Sequence, residues 1–82
     1  MYNIGEIVTV TNNVLDEGDE KYVNKTGIIQ EIDRKEQSIL YGVRFNAFSS
    51  HVERSFYENQ LRPASEYEMS CNYKNIMNTY MN

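Results

Sequence analysis

The sequence predicts one small, mainly β domain: an antiparallel barrel of five strands, followed by a short amphipathic α-helix at the C-terminus. Short apolar segments with strand-like alternation recur at close intervals before Pro63, the only proline, and no helical pattern separates them. After Pro63 the apolar period changes from two residues to three or four. With 82 residues, of which 40% are hydrophobic, the chain has apolar material for a single core.

The first predicted strand covers residues 5–10, where β-branched side chains alternate and Val8 and Val10 point inward. Residues 12–20 are polar and rich in Asn, Asp and Gly, which suit turns. They predict a long loop or a ragged hairpin.

The second and third predicted strands follow at residues 28–32 and 39–45. In the second, the spacing of Ile29 and Ile32 breaks strict alternation and indicates a bulge or bend. In the third, alternation places Tyr41, Val43 and Phe45 on one face. Bent strands of this kind are what a small barrel requires.

The last two predicted strands are short. Residues 46–54 are predicted to form a loop or turn, residues 55–57 the fourth strand and residues 59–62 the closing strand. A single 3₁₀ turn is expected between these two strands, and Pro63 ends the ladder.

A C-terminal helix is signalled by Ser65 and Glu68, which are spaced as a capping box. Downstream, apolar side chains recur at three- and four-residue spacing: Met69, Tyr73, Ile76, Met77, Tyr80 and Met81. The sequence therefore divides into a barrel, residues 1–63, and a helical tail, residues 64–82. The tail packs either on the barrel or on a partner, and both alternatives stay open.

Four motifs carry a family resemblance: Gly-Glu-x-Val-x-Val at 5–10, Thr-Gly-x-Ile-x-x-Ile at 26–32, Tyr-x-Val-x-Phe at 41–45 and Phe-x-x-x-x-Leu-x-Pro at 56–63. The chain resembles the SH3-like barrels of the KOW and CAP-Gly kind, and small bacterial or phage proteins. The resemblance implies a binding module whose partner is a protein. The Gly-Lys-Asn-Asp-Gly segment with which CAP-Gly domains grip acidic tails has no match here, so that activity is not implied.

The charge of the chain is acidic, with a formal net charge of −4. The excess lies in residues 1–24, where Lys21 is the only basic residue among five acids. Because affinity for nucleic acid comes mainly from basic side chains, direct nucleic-acid binding is disfavoured. The sequence has no membrane span or signal peptide, and its single cysteine, Cys71, indicates a reducing compartment; we expect a cytoplasmic protein.

No constellation in the sequence predicts catalysis. His51 lies beside Ser49 and Ser50, but no third group is evident that would orient a base. One His and one Cys do not make a zinc site, and the acidic segment 16–20 lacks the spacing of a calcium-binding loop. We therefore expect no enzyme activity, no cofactor and no metal.

The hypothesis that fits these observations is a small non-enzymatic protein-interaction module, encoded by a bacterium, a phage or a mobile element. Its alternatives are an anti-defence inhibitor whose acidic loop occupies a basic groove of a nucleic-acid enzyme, and an assembly subunit that forms a homodimer through the C-terminal helix. The partner-binding candidates are the acidic loop, aromatic side chains outside the core pattern, and the tail: Asp16, Glu17, Asp19, Glu20, Tyr22, Phe48, Tyr57, Tyr73, Ile76, Met77 and Tyr80.

Overall fold

The computed structural model describes residues 1–14, 17–45 and 52–70. These ranges contain five strands, two 3₁₀ helices and one α-helix, α1, at residues 66–70. The other elements, in chain order, are β1 (Ile7–Val10), η1 (Glu17–Tyr22), β2 (Thr26–Arg34), β3 (Ile39–Phe45), β4 (Val52–Tyr57), η2 (Glu58–Gln60) and β5 (Leu61–Pro63). The predicted mainly β fold with a C-terminal helix is confirmed.

All five strands belong to one antiparallel sheet in the order β4-β3-β2-β1-β5. β1 brings the N-terminal and C-terminal strands together, since it pairs with β2 on one side and with β5 on the other. β4 and β5 are therefore the outer strands of the sheet. The 3₁₀ helix η2 joins them directly, so the predicted 3₁₀ turn between these two strands is confirmed.

The predicted bulge lies in β2. Ile29 pairs with Val43, whereas the next pair is Glu31 with Gly42, so Gln30 is the extra residue. The extra residue resets the alternation of the strand. Ile29 is fully buried and Ile32 packs against the same core, which explains their irregular spacing in the sequence.

The core consists of one cluster on the inner face of the sheet. The predicted inward residues of β1 and β3 are all fully buried in it. The cluster also takes one side chain from each outer strand, and its members are Val8, Val10, Tyr22, Ile29, Tyr41, Val43, Phe45, Phe56 and Leu61.

Two sequence predictions are corrected by this arrangement. β4 begins at Val52, inside the segment predicted as a loop, because Val52 pairs with Phe45 and Arg54 with Val43. Tyr22, predicted to lie on the surface, is only 3% exposed, and its ring stacks on Phe45 with centroids 4.9 Å apart. A surface position for Tyr22 is therefore wrong.

The capping box at the start of α1 is confirmed. The Ser65 N–H donates to Glu68 Oε1 at 2.9 Å, and the Glu68 N–H donates to Ser65 Oγ at 3.1 Å. Arg62 of β5 also donates two hydrogen bonds, of 2.7 and 2.8 Å, to the Glu68 carboxylate. The Arg62 bonds lower the pKa of Glu68 to about 2, with smaller help from Ser65 and Thr9. These contacts fix the first turn of the helix on the β1–β5 end of the sheet.

Candidate functional site

A recess in the described part of the chain surrounds Tyr57. Two adjoining depressions, of about 650 and about 680 Å³, share Tyr57 and Asn59 in their linings, and together we call them the Tyr57 groove. The first, the amide side, is lined by Asn12, Asn13, Val14, Tyr57, Asn59 and Gln60. The second, the charged side, is lined by Arg34, Lys35, Glu36, Gln37, Ser38, Ile39, Tyr57, Glu58 and Asn59.

The position of Tyr57 follows from strand alternation. Phe56 points into the core and is fully buried, so the next side chain along β4 points to the opposite face. Tyr57 pairs there with Leu40 and is 45% exposed. The predicted surface position of Tyr57 is confirmed, and β4 fixes the backbone from which the ring projects.

Gln60 fixes the amide side from within the fold. Its side chain is buried, and its Oε1 accepts a 2.9 Å hydrogen bond from the Tyr57 backbone N–H. Its Nε2 donates to the Asn13 carbonyl at 3.3 Å, and its own carbonyl accepts from the Thr11 N–H at 2.9 Å. Gln60 therefore ties the segment after β1 to η2 at two points, and a third bond holds its own side chain against the end of β4.

A further bond joins the same two segments at the surface. Asn13 Nδ2 donates to the carbonyl of Asn59 at 2.9 Å. With the Gln60 bonds, it makes the amide side a preformed recess.

The charged side carries both signs. Arg34 is the last residue of β2 and Lys35 the first of the turn that follows, and Lys35 Nζ lies 3.9 Å from Asp33 Oδ2. The Met1 amino nitrogen lies 2.6 Å from Glu58 Oε1, with which it forms an ion pair. Because both members of these ion pairs are exposed, they contribute little to stability.

The acidic segment is partly neutralised by the fold. Asp19 is buried and accepts hydrogen bonds of 3.2 and 2.9 Å from Arg54 on β4. The Arg54 guanidinium also lies 5.4 Å from the centroid of the Tyr22 ring. Residues 17–22 therefore form a 3₁₀ helix anchored to the sheet, where the sequence predicted a loop.

The remaining predicted partner-binding residues fall into two groups. Glu17 and Glu20 are exposed on η1. The others lie outside the described residues: Asp16, Phe48, Tyr73, Ile76, Met77 and Tyr80. The structure therefore brings Tyr57 into a groove and separates it from Asp19 and Tyr22, which are anchored elsewhere.

Sequence reasoning missed the amides of the groove. Asn12 and Asn13 were taken only as turn formers, and Asn59 and Gln60 as part of a closing strand. The available signal was the concentration of amide side chains just after β1 and just before β5. Their proximity depends on the pairing of β1 with β5, which local pattern does not reveal.

The described residues also bear on two other kinds of site, a metal centre and a membrane span. No group of three or more His, Cys, Asp or Glu side chains within them converges as metal ligands would. In the same ranges, no helix combines the length and apolar character needed to cross a membrane. Comparison of the chain with protein-family models, with curated proteins and with solved structures finds no significant match.

Proposed function

We propose that this protein is a non-enzymatic protein-interaction module that binds an extended segment of a partner protein in the Tyr57 groove. The observation that supports the proposal is the exposed ring of Tyr57 at the centre of a recess whose walls are cross-bonded by Gln60. The module acts in the cytoplasm, the compartment expected from the single cysteine.

The physical argument rests on preorganisation. A tyrosine at a strand end offers a large contact area and has only two side-chain torsions to order on binding, and aromatic residues dominate binding at interfaces. The groove lies between two loop segments and η2, so an extended chain has room to pass over Tyr57. A depression that is open to solvent suits a peptide better than a small molecule, which pockets usually enclose.

The finer fold is part of the same proposal: the sheet curls into an SH3-like barrel of the KOW and CAP-Gly kind. The strand order, the bulge in β2 and the η2 link between β4 and β5 support it. Phe56 of β4 and Leu61 of β5, from opposite edges of the sheet, share one core cluster. A crystal structure in which β4 and β5 lie at opposite ends of a flat sheet would contradict the barrel.

Selection from a random peptide library on phage tests the function. The full chain is immobilised, and Tyr57→Ala and Gln30→Glu serve as comparison baits. Gln30 is an exposed amide on β2 that does not line the groove. We expect a shared peptide consensus from the parent and the Gln30→Glu variant, and none from Tyr57→Ala.

A synthetic consensus peptide then gives the affinity. Loss of an aromatic hot spot costs about 2 kcal/mol or more, so its dissociation constant should rise by roughly 30-fold in Tyr57→Ala. Peptides that bind parent and Tyr57→Ala equally well would refute the groove as the site.

A further inference from the structure

The polar groups on the amide side of the groove are of two kinds. Gln60 and the Asn13 side chain are engaged in bonds that join the segment after β1 to η2. The side-chain amides of Asn12 and Asn59 are exposed and make no hydrogen bond to another described residue. The first set holds the walls together, and the second set lines the recess with its amide groups unpaired among the described residues.

The charges of the groove are divided unevenly. The described residues that line the amide side carry no formal charge, although 24% of the whole chain is charged. Those that line the charged side include two basic and two acidic side chains: Arg34, Lys35, Glu36 and Glu58. A charged side chain placed on the amide side would lose hydration without meeting an opposite charge.

Amide side chains have the right chemistry for a neutral ligand. A primary amide offers a carbonyl acceptor and N–H donors in one plane, which matches the N–H and C=O groups of a peptide backbone. Val14, which is half-buried, and the Tyr57 ring supply apolar surface beside these amides.

From these observations we infer that the amide side of the Tyr57 groove reads an uncharged stretch of an extended peptide. Asn12 and Asn59 bond to its backbone, and an apolar side chain packs on Tyr57 and Val14. This inference rests on the proposed function and adds the chemistry of the partner. It gives recognition that is nearly independent of salt.

The experiment uses the selected consensus peptide in calorimetric titrations at about 50 and about 500 mM NaCl. We expect no Asp, Glu, Lys or Arg at the positions whose substitution abolishes binding. We also expect a dissociation constant that changes by less than about twofold with salt, because screening acts on charges. A consensus that requires a charge there, or a salt effect above about fivefold, would overturn this inference and leave the proposed function intact.

The absence of any peptide consensus that depends on Tyr57 would overturn both the proposed function and this inference. Asn59→Asp and Asn12→Asp test the two amides that are inferred to bond to the peptide. Each replaces an amide, which donates N–H groups, by a carboxylate of nearly the same shape that carries a negative charge. We expect each to weaken binding by about tenfold, as the loss of a hydrogen bond implies, whereas Gln30→Glu leaves it unchanged. Heteronuclear NMR spectra of each variant establish that the fold is kept. Unchanged binding in both folded groove variants would refute the assigned role of the amides.

Discussion

Replacing Gly27 by alanine would place a methyl group between β2 and β3 where the structure leaves no room. A Cβ at this position would lie 2.6 Å from Val43 Cγ1, 2.7 Å from the backbone carbonyl oxygen of Arg44 and 3.1 Å from Phe45 Cδ1. Val43 and Phe45 are fully buried, so neither side chain can swing into solvent. The carbonyl can move only if β3 moves with it.

The expected cost follows from two opposing effects. Overpacking of a core typically costs about 1–3 kcal/mol, and a clash with main chain belongs at the upper end. Alanine also restricts the unfolded chain, which returns about 0.4–1 kcal/mol. The net loss should be about 2 kcal/mol, which for a domain of this size lowers the melting temperature by roughly 8–16 °C.

Urea denaturation followed by circular dichroism measures this loss directly. Gln30→Ala is the control on the same strand, because the Gln30 side chain is exposed and lies outside the core cluster. We expect the control to stay within about 0.5 kcal/mol of the parent. A Gly27→Ala variant as stable as the control would show that β2 and β3 can separate without loss, and the packing argument would be wrong.

Three other substitutions test side-chain bonds, each by urea denaturation. The folded pKa of Glu68, about 2, lies below its ordinary 4.5, so its pairing with Arg62 stabilises the fold above about pH 4.5 and is lost as the pH falls towards 2. Glu68→Gln should cost about 1 kcal/mol near pH 7, since solvent screens the pair, and should flatten the acid dependence; an unchanged slope would contradict this. Arg54→Lys keeps the positive charge but loses the two N–H groups that donate to Asp19, and should cost about 1 kcal/mol of stability. A variant as stable as the parent would argue against Arg54 as the anchor of η1. Gln60→Glu keeps the acceptor that caps η2 but loses the donor to the segment after β1, and should cost about 1–3 kcal/mol, with a neutral result excluding the clamp.

Local patterns predicted the parts of the fold that depend on neighbours in sequence. Val8 and Val10, and the inward face of β3, follow from alternation within one strand. The capping box follows from two residues three positions apart. The bulge was predictable because it displaces the apolar positions within β2 itself, from Ile29 to Ile32.

The errors concern residues whose environment is set by distant segments. Tyr22 shows no core periodicity because η1, not a strand, delivers it to Phe45 and Phe56. The start of β4 lacks an apolar strand pattern because Glu53 and Arg54 lie there, and charged side chains are tolerated on an outer strand. The groove was missed for the same reason, because its amides meet only after β1 pairs with β5.

The anchored state of Asp19 changes how the acidic-inhibitor hypothesis, which stays a prediction, should be tested. Asp19→Lys would place a second cation against Arg54 where the aspartate is almost buried. Because the Arg54 side chain is 42% exposed and can be hydrated, we expect a cost of about 1–3 kcal/mol. Glu17 and Glu20 are exposed, and their reversal should change stability by less than about 0.5 kcal/mol. Any loss of inhibition in an Asp19 variant would therefore report unfolding as readily as lost contact.

The informative variant is Glu17→Lys with Glu20→Lys, compared with Asp19→Lys by urea denaturation and then in DNA cleavage by a panel of purified nucleases. We expect the double variant to keep the parental stability and Asp19→Lys to lose about 1–3 kcal/mol of it. If Asp19→Lys is as stable as the parent, the ion pair with Arg54 does not anchor η1. If the parent inhibits a nuclease and the double variant does not, the exposed acids carry that contact, because both proteins are folded and differ only in surface charge.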